Sequence, residues 1–176
     1  MTYAAFFRAY LSRGKKINQT KGECAMKSPC KIFIVAGSLS LAAALLHVAV
    51  IFGGPNWYRF FGAGEQLAQM AEAGMAYPIF VTLFITSILT GWGLYALSGA
   101  GLILRLPFLR TCLVLITAVY CIRGAYGPFI PLLVSTPYVE NLGIAFWFWS
   151  SAICMSIGLL HLWGLKRNWS FISQKR

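Results

Sequence analysis

HVAVIFGGPNWYRFFGAGEQLAQMAEAGMAYP, residues 47–78, is the one long stretch of this chain that is more than an apolar run. Gly53, Gly54 and Pro55 stop the helix that enters it, because two glycines and a proline do not propagate a helix. Trp57 and Tyr58 follow as an expected interfacial aromatic anchor. From Phe60 onward, steps of about 100° put Phe60, Phe61, Gly64, Leu67, Ala68, Ala71 and Met75 on one face and Glu65, Gln66, Gln69 and Glu72 on the other. A helix over 60–75 with that pattern is too short and too polar to span a bilayer, and is expected to lie along its rim with the apolar face down.

The stretch sits between two apolar runs, 32–53 and 78–104, which carry no Lys, Arg, Asp or Glu and one histidine, His47. At about 1.5 Å per residue each is long enough to cross a hydrocarbon core of about 30 Å. In the first run Ala36, Ser40 and Ala44 share a helical face, small residues that let helices approach closely, and His47 lies near that face. In the second, Thr82, Thr86, Thr90 and Gly93 form a polar-small stripe that bonds its own backbone or a neighbour. The segment LSGAGLILRLPFLR (97–110) turns the chain into a third span over 106–126, with Pro107 in its first turn. GAYGPFIPLLVSTPYVEN (124–141) reads as a proline-punctuated loop. A last span over 142–165 opens with FWFW, suited to an aromatic belt, and places Ser150, Cys154 and Gly158 on one small-residue face near His161.

Composition agrees with that count. Of 176 residues 59% are hydrophobic and 11% charged, with a mean hydropathy of +0.69; soluble domains usually carry about 25% charged residues. Lys and Arg number 15 against 4 acids, all of them Glu. The basic residues fall in patches between apolar runs rather than on a polar face, which excludes a nucleic-acid partner and points to positive-inside sorting. Thirteen of the fifteen lie before the first span, between the second and third, or after the fourth. The fold class is therefore all-α, a membrane four-helix up-down bundle with an amphipathic interfacial helix between spans 1 and 2. Residues 1–31 are expected to form a basic cytoplasmic tail, 32–165 the membrane domain and 166–176 a second basic cytoplasmic tail. Met26 opens a compact MKSPCK start, which leaves the first twenty-five residues open to reading as an upstream extension.

Candidate site residues follow from the topology. Glu65 and Glu72 are seven apart and share a stripe of the rim helix. Paired carboxylates hold a metal or share a proton, although a polar interfacial face is usually just solvated. Arg123 lies inside an otherwise uncharged run, where it either snorkels to the interface or makes a buried ion pair or substrate contact. His47, Tyr58, Arg59, Glu65, Glu72 and Arg123 all belong to the outward end, and a ligand-binding cluster of them is the expectation.

Metals and cofactors are not expected. His47 lies about 22 Å from the basic start of its span and His161 about 6 Å from the basic end of its own, so one haem iron cannot take both. No Cys/His spacing fits zinc, no C-x-x-C supports thiol redox chemistry, and no cysteine sits clearly on an oxidising side. Phosphate-loop, zincin and serine-hydrolase motifs are missing, and the spans hold no acid to relay protons for a transporter.

The run HVAVIFGGPNWYRFFGAGEQLAQMAEAGMAYP, followed by GWGLYALSGAGLILRLPFLR and TAVYCIRG, resembles a family of small uncharacterised bacterial inner-membrane proteins with four spans, over roughly residues 26–163. The resemblance implies that fold and compartment, and that GGPNWYRFFGAGE and Arg123 belong to a recurring pattern; it implies no catalytic residue. Two functions stay open: a non-enzymatic inner-membrane subunit or lipid or small-ligand binder, partnered by membrane lipids, a second copy or a membrane complex; or a membrane enzyme or redox protein using the His47 and Arg123 region.

Overall fold

The computed structural model describes residues 30–173. Most of the basic tail before residue 31, with Met26, Cys24 and Glu23, lies outside the described residues, as do Lys175 and Arg176. The described chain is all-α: α1 (Lys31–Phe60), α2 (Glu65–Glu72), α3 (Tyr77–Gly99), α4 (Leu109–Tyr126), a 3-10 turn (Gly127–Phe129), α5 (Ile130–Leu133) and α6 (Pro137–Ile172). Four of its segments, those led by α1, α3, α4 and α6, are long and apolar enough to cross a membrane.

Two of the long helices are broken. In α1 Gly54 leaves the helical region at φ 67, ψ −156, so the first span ends at the GGP signal and Pro55 opens a further helical turn. In α6 Gly143 does the same at φ 72, ψ 157, and Asn168 is non-helical near the other end. The apolar part of α6 therefore runs between those breaks, close to the expected 142–165.

The helices pack in sequence order, α1 on α3 and α4 on α6, with α1–α6 and α3–α4 contacts closing the ring. Small residues set the close approaches. Ala36, Ser40 and Ala44 are all buried, as their spacing predicts. A Cβ on Gly37 would come within 3.0 Å of the Gly93 carbonyl, and one on Gly124 would lie 2.7 Å from Met155 N, Cα and Cβ. Thr82, Thr86 and Thr90 each donate to the carbonyl four residues back, at 2.7, 2.9 and 2.8 Å, so the stripe bonds its own helix.

The ends of the helices correct three expectations. The second span stops at Gly99, not at 104, because Gly101 adopts φ +78 and closes a Schellman cap through Gly101 N to Ser98 O and Leu102 N to Leu97 O, both 3.1 Å. Pro107 does not lie in the first turn of the third span: α4 begins at Leu109, behind Phe108 in the left-handed region at φ 51. Ser98 Oγ holds this connection, donating to Leu104 O and accepting from Leu106 N, each at 3.0 Å. The rim helix is α2 alone rather than 60–75. Gly62 (φ 74) and Gly74 (φ 70) each close a Schellman cap, and Gly64 (φ 101) separates the two helical pieces. Phe60 and Met75 consequently lie outside α2 and are exposed.

Cys30 N donates to Ala100 O at 3.1 Å, Asn168 Nδ2 to Gly99 O at 3.0 Å, and Arg105 to the carbonyls of Phe171 and Ile172. Both described chain ends and the α3–α4 connection therefore share one end of the bundle. That end carries Lys31, Arg105, Arg110, Lys166 and Arg167; the described acids Glu65, Glu72 and Glu140 are all at the other, with Arg59 and Arg123.

Candidate functional site

At the acidic end, the helical turn after Pro55 and α2 fold into a cap. Its core is Val50, Tyr58 and Ala68, with Phe61, Ala63 and Ala71 against them. Tyr58 is 2% exposed and shares a hydrogen bond of 3.3 Å with Thr82 Oγ1, which donates to Pro78 O. The expected interfacial anchor at Trp57 and Tyr58 is thus divided. Trp57 is exposed, while Tyr58 is turned inward by the backbone jump at Gly54 and pins the cap to α3.

Arg59 organises the polar side of the cap. Its Nε and Nη2 donate to the two oxygens of Glu65 at 2.8 and 2.7 Å, a bidentate pair, and its Nη1 donates to Glu72 Oε1 at 2.7 Å. These hydrogen bonds hold both carboxyls below the ordinary glutamate range. One guanidinium against two carboxylates leaves the cluster a net negative charge. Gln69 Nε2 adds a donor to Glu65 at 3.2 Å.

Beside this cluster lies a cleft of about 1180 Å³. The cap contributes Arg59, Glu65, Leu67 and Met70, the connection and start of α3 contribute Met75, Tyr77 and Val81, and the first turn of α6 contributes Tyr138, Asn141 and Leu142. Tyr138 closes the far wall by donating its hydroxyl to Gly62 O at 2.9 Å. A Cβ on Gly64 would lie 2.8 Å from the Tyr138 ring, so this glycine is needed for the approach as well as for its φ of +101. Mixed apolar walls with a few polar groups at the mouth are the usual make-up of a small-molecule site.

Of the six candidate residues, Arg59 and Glu65 line the cleft, Glu72 joins them through Arg59, and Tyr58 lies beneath in the cap core. His47 and Arg123 are not part of the group. His47 is half-buried with Nδ1 2.8 Å from Ala43 O of its own helix. Arg123 turns towards α6, where Nη1 donates to Ser151 Oγ at 3.1 Å and Nη2 to Ser150 Oγ at 3.3 Å, with the guanidinium 5.4 Å from the centre of the Trp147 ring. It makes no ion pair among the described residues. A Cβ on Gly127 would collide with both Arg123 Nη1 and Ser151 Oγ, so that glycine opens the notch in which Arg123 sits. Trp147 is buried and donates Nε1 to Val139 O at 3.4 Å, which leaves Phe148 and Trp149 as the exposed members of the expected belt.

His161, by contrast, is wholly buried: its ring stacks 5.5 Å from Tyr120 and meets Phe33 edge-on at 6.3 Å. Phe33 precedes His47 by fourteen residues of α1, about 21 Å along the helix, so the two histidines lie at different depths. Sequence reasoning missed the α6 wall of the cleft. The signal for it was Gly143, an isolated glycine that ends one helical segment six residues after Pro137. The chain matches no family model, no curated protein and no solved structure, and its functional reading rests on the geometry of this cleft.

Proposed function

We propose that this protein is a non-enzymatic multi-pass protein of the bacterial inner membrane, both termini cytoplasmic, that binds a lipid or small amphipathic ligand in the outward-facing cleft beneath its cap. The observation that carries the reading is the cleft itself, apolar along Leu67, Met70, Val81 and Leu142 and edged by the salt-bridged Arg59 and Glu65. Its volume of about 1180 Å³ suits a ligand of lipid size. The four-span architecture and the concentration of basic residues at the end bearing the described termini support the orientation. The compartment is suggested by the resemblance of the GGPNWYRFFGAGE stretch to a family of inner-membrane proteins. His47 and Arg123, on which an enzymatic or redox reading depends, are engaged separately, the first with its own helix and the second with Ser150 and Ser151.

The test is fluorescence enhancement of a neutral naphthylamine probe on the purified protein. Bound probe is expected in the wild type and its loss in Leu67→Trp and Val81→Trp, which fill the cleft from two different helices. Equal enhancement in all three proteins removes the cleft as the site. Reporter fusions at each terminus check the orientation, and a stoichiometric partner covering α2 on co-purification in mild detergent would replace the ligand reading with a subunit role.

A further inference from the structure

A second concavity lies at the opposite end of the molecule, on the outer surface between α4 and α6. It has a volume of about 660 Å³ and is walled by Val114, Ala118 and Cys121 on one helix and Leu162 on the other, with Lys166 and Trp169 at its mouth. Val114 and Cys121 are seven residues apart on α4, so the groove runs about 10 Å along the helices, roughly two-thirds of one leaflet of the hydrocarbon core. Its depth is apolar and its mouth is cationic. Lys166 lines it, and the Arg110 guanidinium lies 4.4 Å from the centre of the Trp169 ring.

The charge around that mouth is one-sided. Lys31, Arg105, Arg110, Lys166 and Arg167 occupy this end of the bundle, and no carboxylate does among the described residues. Arg105 is bonded to the carbonyls of Phe171 and Ile172 and so serves the end of α6. Lys166 and Arg110 make no ion pair among the described residues and are both exposed. A free anion would gain from the cations and nothing from the groove, and a neutral alkyl chain would gain from the groove and nothing from the cations. An occupant that uses both has an acyl chain joined to an anionic headgroup. Trp169 is 41% exposed at the junction of the two, where an indole favours the boundary between hydrocarbon and headgroup.

We propose that the α4–α6 groove is a binding site for an acidic phospholipid, one acyl chain lying along Val114, Ala118, Cys121 and Leu162 and the phosphodiester held by Lys166 and Arg110. Each cation near an anionic headgroup favours it by about fivefold. The site is separate from the cleft under the cap, and neither depends on the other.

The experiment reads the lipid retained by the full-length chain after extraction from mixed phosphatidylcholine and phosphatidylglycerol bilayers, by mass spectrometry. Wild type is expected to retain phosphatidylglycerol in excess over its bilayer fraction. The double variant R110A/K166A lowers that enrichment by about tenfold or more. Ala118→Phe, which fills the groove and leaves every charge in place, lowers it too, and Lys166→Arg preserves it. Helical circular dichroism and monodisperse elution establish that each variant is folded. The proposal is overturned by a wild type without enrichment, by a folded double variant that keeps it, by an Ala118→Phe variant that keeps it, which reduces the effect to diffuse surface charge, or by displacement of the retained lipid with soluble glycerol phosphate.

Discussion

Alanine in place of two glycines should shift stability in opposite directions, and the reason is the distance between α4 and α6. At Gly124 a Cβ would stand 2.7 Å from the N, Cα and Cβ of Met155, whereas at Gly91, in the middle of α3, it would meet nothing within 4 Å. Both sites are helical, so both gain from the better helix propensity of alanine, by at most about 1 kcal/mol. At Gly91 that gain stands alone. At Gly124 carbon atoms that need about 3.5–4.0 Å would be forced about 1 Å too close. The obstacle is backbone, so no rotamer change relieves it and the helices must separate. Overpacking of this kind costs about 1–3 kcal/mol, and the lack of an escape route puts Gly124→Ala in the upper half of that range. The net expectation is a loss of about 1–2 kcal/mol for Gly124→Ala and a gain of 0 to about 1 kcal/mol for Gly91→Ala. Reversible unfolding in mixed micelles of increasing SDS fraction measures both. If Gly124→Ala unfolded at the same SDS fraction as Gly91→Ala, the inference that α4 and α6 are in backbone contact here would be wrong.

Further outcomes follow from the cap and the Arg123 notch. Arg59→Ala should release Glu65 and Glu72 together, raising amide hydrogen exchange across 65–72 while leaving α4 unchanged. Acid should act on the same bonds: Arg59 holds both carboxyls below their ordinary range, so their contribution is present above the unfolded glutamate pKa of about 4.3 and is lost as the pH falls through the lower folded values. Protection of the α2 amides, taken relative to their intrinsic exchange at each pH, is therefore expected to be flat from neutral pH to about 5 and to fall only below about 4, and a loss of protection centred near neutrality would contradict the Arg59 cluster. Tyr58→Phe, which deletes the hydroxyl shared with Thr82, should cost about 1 kcal/mol, against about 3–5 kcal/mol for Tyr58→Ala in the cap core. Gly127→Ala should displace Arg123 from Ser150 and Ser151, so it and Arg123→Ala are expected to be strongly non-additive in a double-mutant cycle; simple additivity would mean that the notch does not hold the arginine.

The spans were legible because length and apolarity alone define them, and the faces were legible where small residues repeat every four positions, as at Ala36, Ser40 and Ala44. Helix ends were less so. The glycines at 62, 74 and 101 are ordinary C-terminal stop signals standing in plain view, yet the apolar pattern runs straight through them, and a reading led by periodicity continues each helix too far. The candidate site divided along the same line. Arg59 lies within thirteen residues of Glu65 and Glu72, which share the polar face of α2, so their meeting is a local matter. His47 and Arg123 were placed by depth, which fixes height along a helix but not the direction a side chain faces; that direction is set by Ala43 in one case and by the gap at Gly127 in the other. Tyr58 follows the same logic, since the azimuth of everything after Gly54 depends on a dihedral jump that no spacing encodes.

Gly54 and Gly143 interrupt the two helices that carry the cleft, both at φ near +70 with extended ψ, a conformation open essentially to glycine, and both with empty space where a side chain would be. Each joint cancels the helical phase, so a residue gained or lost beyond it does not rotate the span below. The direction of the cap and of the first turn of α6 is therefore set at these two joints rather than by the register of the bundle, so a side chain at either glycine would re-aim one wall of the cleft without disturbing the packing of the spans.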